Sequence, residues 1–219
     1  MIKKLAAENY KWFCNKDGSD YIASEYALEV ILKIIKKYKI KNILEIGLGI
    51  GSISDTIFKY SNLSNNHISY SGTEKNEFCL KALINNVEDF KKLNLYNELK
   101  DIPKKKFDLI IIDGYDDTLK DVVAYSTNET IIFIEGDRKG QTDAIINIFP
   151  NSRSVNVITL NKNKEYAHGA CEPSTYIGGG QLIFVNPNFY NKLYWFKLKL
   201  KTFTKRQFRQ WDLYSKFHN

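Results

Sequence analysis

The chain reads as a doubly wound α/β domain with a mostly parallel sheet and helices on both faces. Three observations predict this. Short apolar strand-like runs alternate with helical periodicity from residue 24 to residue 186. The run 107–113 (FDLIIID) is apolar without alternation, as a strand covered on both faces must be. Three glycines at alternate positions, Gly47, Gly49 and Gly51, stand between a strand-like run and a helix-like run.

Taken in order, Ala27, Val30, Ile31, Ile34, Ile35 and Tyr38 recur at helical spacing across residues 24–38, with Ser24 as the N-cap. Residues 42–46 (NILEI) form a strand, and 52–60 a helix with Ile53 and Ile57 on one face. Strands follow at 67–73, 107–113, 130–135, 154–160 and 181–186, with a weaker edge strand near 93–99. Helices are expected at 77–87, around Leu119, Val122 and Val123, and at 142–149, the last stopped by Pro150. A loop over 161–180 carries His168, Cys171, Pro173 and Gly178, Gly179 and Gly180. The chain divides into a helical cap (1–40), a ligand-binding α/β domain (41–187) and a tail (188–219).

At 219 residues, 43% of them hydrophobic, the chain is long enough for one substantial core. Cys14, Cys79 and Cys171 are scattered and include no CxxC pair, which argues against a zinc or disulfide framework and for a reducing compartment. No apolar run has the length of a signal peptide core or a membrane span. The expectation is a cytoplasmic protein, at most peripheral to a membrane. The net charge of +7 sits in the tail: residues 187–219 hold eight Lys/Arg and one acid, leaving 32 − 8 = 24 basic and 25 − 1 = 24 acidic residues before them. Ten aromatics interleave with those cations. The run 196–201 alternates as a strand would, yet Leu193, Phe196, Leu200 and Phe203 also fit a helix, so its conformation stays open. Such a segment suits an anionic membrane surface, a partner protein or an RNA backbone, or it packs on the body with its lysines in water.

Bare backbone at the glycine turn lets a ligand approach the main chain, with helix N-terminal amides facing it. Glu74, ending the next strand, is placed to accept both hydroxyl protons of a ribose. The run Leu44-Glu45-Ile46-Gly47-Leu48-Gly49-Ile50-Gly51 resembles the first motif of class I S-adenosylmethionine-dependent methyltransferases. The resemblance implies that S-adenosylmethionine is the cofactor, that Glu45 lies near its methionine amino group, and that Gly47, Gly49, Gly51 and Glu74 hold it. Residues 107–113 match that family's fourth-strand motif. A dinucleotide-binding oxidoreductase is the rival, but its GxGxxG spacing is not met, since position 52 is Ser.

Two constellations fit the chemistry of methyl transfer, which needs the acceptor positioned and its lone pair exposed. Asp113, Glu135 and Asp137 sit at strand ends, where oxygen ligands suit Mg²⁺. They resemble the acids of metal-dependent small-molecule O-methyltransferases, although Gly136 separates Glu135 from Asp137. The alternative is that they end strands and cap helices. His168 is a candidate general base in a loop over the cofactor, or an exposed loop histidine. Asp113 is expected on the acceptor side. Tyr21 and Glu25, ahead of the first strand, line the acceptor or cofactor mouth or start a helix, and the second reading is preferred. The sequence after strand four is Asp113-Gly114-Tyr115, without the Pro-Pro-aromatic grip of base-methylating enzymes, and there is no Pro-Cys motif, so a nucleic-acid acceptor is disfavoured. The expected reaction is methyl transfer to a small molecule or glycan precursor, at oxygen. A non-catalytic scaffold of the same fold, acting through its tail, is the reading from another class.

Overall fold

The computed structural model describes residues 1–114, 119–167 and 175–217, with side chains to residue 212. Fourteen elements build it: α1 (Ile2–Phe13), α2 (Glu25–Tyr38), β1 (Asn42–Ile46), α3 (Ser52–Ser64), β2 (Ser69–Thr73), α4 (Glu77–Asn86), β3 (Leu93–Tyr96), β4 (Leu109–Ile112), α5 (Val122–Tyr125), β5 (Ile131–Glu135), α6 (Lys139–Ile148), β6 (Arg153–Val157), β7 (Gly180–Phe184) and α7 (Phe189–Phe217).

The strands form one seven-stranded sheet in the order β3-β2-β1-β4-β5-β7-β6. All pairs are parallel except those of β7, which runs antiparallel between β5 and β6. The central strands are apolar on both faces because both faces are covered. Ile43, Ile111 and Phe133 point to one side, into a core shared with α1, α2, α3 and α4. Leu44, Ile110 and Ile132 point to the other, against Val122, Tyr125 and Ile145 of α5 and α6. The chain leaves β1 toward β2 and β3, then returns across it to β4. The strand ends of β1 and β4 therefore form the crevice where doubly wound sheets bind ligands.

Three features differ from the sequence reading. The N-terminal cap contains a helix of its own, α1, whose Ala6, Tyr10 and Phe13 are buried against the core and whose Asn9 Nδ2 donates to Thr56 Oγ1 at 2.7 Å. Ser24 is the N-cap residue of α2 as expected, but its side chain makes no capping hydrogen bond. The tail is a continuous helix. Tyr194, Trp195 and Leu198 pack on the core, and the helix lies along β6, the outer strand on its side of the sheet.

That placement solves an edge problem. An outer strand presents unpaired carbonyls. Here Trp195 Nε1 donates to Ser154 O at 2.7 Å, Thr202 Oγ1 to Asn156 O, Lys205 Nζ to Ile158 O at 2.6 Å and Arg209 Nε to Thr159 O at 3.0 Å. Side chains at helical spacing thus satisfy carbonyls at strand spacing. Among the described residues no helix is long and apolar enough to cross a membrane.

Candidate functional site

A cavity of about 690 Å³ opens over the β1–β4 crevice. Its floor is the glycine turn. Gly47 has φ +85°, and a Cβ there would lie 2.5 Å from the backbone of Gly114. The two strand-end loops touch at this point, and only glycine permits it. A Cβ on Gly49 (φ +53°) would lie 2.4 Å from the carbonyl oxygen of Tyr21. The crowding at both positions comes from the protein's own main chain.

The turn's amides are used the same way. Gly47 N and Leu48 N donate to Thr73 O at 3.1 and 3.0 Å. Gly49 N donates to Glu74 Oε2 at 2.8 Å. Ile50 N reaches Tyr21 O at 3.4 Å and Gly51 N reaches Leu48 O at 3.0 Å. The sequence reading had a ligand lie against this main chain with the helix N-terminal amides facing it; the five turn amides themselves bond within the protein. Gly51 stands apart from Gly47 and Gly49. It is outside the cavity lining, and the place of its missing Cβ is crowded by Val87 and Leu83, so it serves helix packing.

Glu74 is placed as expected, at the end of β2 and in the cavity wall. Its other oxygen, Oε1, accepts from Lys75 N at 2.9 Å and Asn76 N at 2.8 Å. Three backbone amides therefore fix the position of its carboxylate. Glu45 lies out of the lining, fully buried in β1. The Tyr70 hydroxyl donates to its Oε2, while its Oε1 has no hydrogen-bond partner. Burial raises this carboxyl well above the usual range, the Tyr70 hydrogen bond opposes the rise, and the nearby charges of Asp113 and Glu74 add to it.

The opposite wall is built at the ends of β4 and β5. Asp113 and Glu135 both line the cavity with Arg138. Arg138 Nη2 stands 3.2 Å from Asp113 Oδ1. Glu135 Oε1 accepts from Ser24 N at 3.2 Å and Ser24 Oγ at 3.1 Å. The Ser24 hydroxyl is used here and not for a side-chain cap. Burial raises both carboxyls, strongly for Asp113, where the Glu135 charge adds to the rise and Arg138 opposes it.

The metal expectation is corrected here. Asp137 is exposed and turned away, its Oδ1 accepting from Gln181 Nε2 at 3.3 Å in a separate groove. Gly136, at φ +73°, turns the chain between it and Glu135. A guanidinium stands against Asp113. Among the described residues no group of three or more His, Cys, Asp or Glu side chains is arranged to hold a metal ion. The three-carboxylate set expected for Mg²⁺ is not assembled among the described residues. His168 and Cys171 lie outside the described residues.

Of the two readings of Tyr21 and Glu25, Tyr21 takes the cavity wall, while Glu25 starts α2 and pairs with Lys164 at 2.7 Å. Sequence reasoning missed Tyr10, Asp20, Asn97, Glu98, Arg138 and Asn163, all in the wall. Arg138 carried a signal: it follows the β5 strand end by three residues. Asn97 and Glu98 follow β3 in the same way.

The lining has a charge bias. Asp20, Glu74, Glu98, Asp113 and Glu135 face Lys75 and Arg138. The arrangement suits a cation that presents hydroxyls to Glu74.

No protein-family model matches the sequence, and neither does any of the curated proteins. Solved structures do. An O-methyltransferase from Bacillus cereus in complex with SAH aligns at a TM-score of 0.57 and 14% identity, over 82% of this chain and 90% of that one. An SAH-bound methyltransferase from Podospora anserina aligns at 0.53 and 13% identity, over 82% and 86%. The precorrin-6y C5,15-methyltransferase of Geobacter metallireducens aligns at 0.52 and 20% identity, over 74% and 88%. The chain has the Rossmann-like fold that these methyltransferases share.

Proposed function

We propose that this chain is an S-adenosylmethionine-dependent methyltransferase acting at an oxygen atom of a small molecule or glycan precursor. One observation carries the choice of cofactor. All five amides of the glycine turn are already hydrogen-bonded within the protein, and the cavity wall holds five carboxylates against two cations. A dinucleotide needs free turn amides and a tolerant field for its pyrophosphate. A sulfonium with an ammonium group needs the reverse. Two solved structures of the same fold contain SAH, which supports the reading.

In it, Glu74 binds the ribose hydroxyls, and its three amide contacts hold the carboxylate in place before the ligand arrives. Gly47 and Gly49 shape the floor. Glu45 Oε1, two residues before Gly47 and without a hydrogen-bond partner, is a buried acceptor beside that turn. S-adenosylmethionine, when bound, supplies an electrophilic methyl group on sulfur.

Asp113, Glu135 and Arg138 form the acceptor wall. A carboxyl with a raised pKa takes up a proton more readily than an ordinary one, so this pair is suited to receive the acceptor's hydroxyl proton. Arg138 opposes the rise at Asp113. Ser24 orients Glu135.

The test is SAH release from S-adenosylmethionine across a panel of phenols, sugars and carboxylates, with wild type and Asp113→Asn. The expected result is release with an oxygen nucleophile, slowed by about a hundredfold or more in the variant. Cofactor binding without release on any acceptor would favour the scaffold reading.

A further inference from the structure

The outward face of α7 is a surface with no role in the fold. Its inward face, with Tyr194, Trp195, Leu198 and Thr202, packs on the sheet edge. Its outward face carries Phe189, Leu193, Phe196, Leu200, Phe203 and Trp211, each between 52% and 77% exposed. Successive members are three or four residues apart up to Phe203, so they form one stripe along the helix. Five exposed cations flank it: Lys192, Lys199 and Arg206 on one side, Lys197 and Lys201 on the other. The helix has one acid, Asp212, which accepts from the Tyr176 hydroxyl at 2.7 Å and pairs with Lys162 on the inward side.

We propose that α7 docks this protein on an anionic lipid surface, with the stripe in the acyl boundary and the flanking cations among the headgroups. Charge complementarity decides the occupant. The spacing of the stripe would also suit a second copy of the same helix, but that would set lysine against lysine with no outward acid to pair them. Leucines alternating with the aromatics suit acyl chains, whereas a nucleic acid needs stacking rings. An amphipathic helix with an apolar stripe and a polybasic border is what an anionic membrane interface selects.

The direction of α7 adds a consequence. β6 runs parallel to β5, since both pair antiparallel with β7. The contacts of Trp195, Thr202, Lys205 and Arg209 advance along β6 toward its C-terminal end. Trp211 therefore lies toward the cavity's end of the sheet, and docking brings that end near the interface. This inference does not depend on which ligand the cavity takes.

The test is co-sedimentation of the full chain with vesicles of phosphatidylcholine alone, or with about a third phosphatidylglycerol, in about 0.1 M salt. Binding is expected to the anionic vesicles only, and to weaken as salt rises. Leu200→Ser with Phe203→Ser, and separately Lys197→Glu with Lys201→Glu, should each lower the partition coefficient by about tenfold or more. Both pairs are solvent-exposed, so the melting temperature should not move. Wild-type tryptophan emission should shift to the blue on binding, and Trp211→Phe should remove most of that shift. The proposal is overturned if the wild type stays in the supernatant, if neutral and anionic vesicles bind alike, or if neither double variant matters. Concentration-dependent dimerisation or RNA binding without vesicle binding would assign the stripe to that partner instead.

Discussion

The two walls of the cavity are built by different means. On the side proposed for the cofactor the main chain does the work: Gly47 against Gly114, Gly49 against Tyr21, and three amides on the Glu74 carboxylate. On the side proposed for the acceptor, side chains from distant elements meet: Asp113 with Arg138, and Glu135 with Ser24 from more than a hundred residues away. The first wall is fixed by sterics and backbone hydrogen bonds. The second holds carboxyls raised by burial, with Arg138 opposing the rise. The contrast suggests that the cofactor wall is a rigid mould and the acceptor wall the place where protons move.

The sharpest break of this comparison is Gly47→Ala. Its Cβ would press into the Gly114 backbone at a positive φ, so a loss of about 3 kcal/mol is expected by denaturant unfolding. Gly136→Ala is the control: φ is positive there too, but nothing lies within 4 Å of the added atom. About 1 kcal/mol is expected. Equal losses would show that strain alone, and not the close approach of the two loops, makes Gly47 necessary.

Glu74→Ala should next weaken S-adenosylmethionine binding by about thirtyfold in calorimetry, since it removes the hydroxyl acceptor and frees the Gly49 amide. An affinity within twofold of wild type would move the ribose elsewhere. On the other wall, Arg138→Met removes the cation that opposes the rise at Asp113. The rising limb of the pH–rate profile should then move to higher pH. An unmoved limb would take Asp113 out of the proton path.

The smallest effect is on stability. Glu45, Asp113 and Glu135 all have carboxyls raised by burial. The folded state then binds protons more tightly than the unfolded chain, so stability falls as pH rises from the ordinary carboxylate range toward the raised values. The ligand-free protein should melt lower at pH 8 than at pH 5. Glu45→Gln should flatten part of that slope, by on the order of 1 kcal/mol. A steeper slope in the variant would mean that Glu45 is ionised and stabilising when the cavity is empty.

The same contrast explains what was legible. Backbone devices leave marks in sequence: the glycine spacing, Glu74 at a strand end and the unbroken apolar run of β4 were all readable. So was the alternation that gives the sheet, because the doubly covered strands admit few polar residues. The acceptor wall was half readable. Asp113 and Glu135 were found at their strand ends, but Arg138 and Ser24, which set their ionisation and orientation, act through contacts that no local period encodes. Asp137 was grouped with them because it is near in sequence, and the turn at Gly136 sends it elsewhere. The tail stayed open between strand and helix because both periods fit residues 196–201. The row of edge carbonyls on β6 decides for a helix.

The central claim is that a satisfied glycine turn and an acidic wall select a cation over a pyrophosphate. It is tested most directly by titrating the wild-type protein in parallel with S-adenosylmethionine and with NAD at neutral pH, by calorimetry. The account predicts saturable binding of S-adenosylmethionine and no heat of binding from NAD at equal, millimolar concentration. Saturable NAD binding, with S-adenosylmethionine inert, would contradict it.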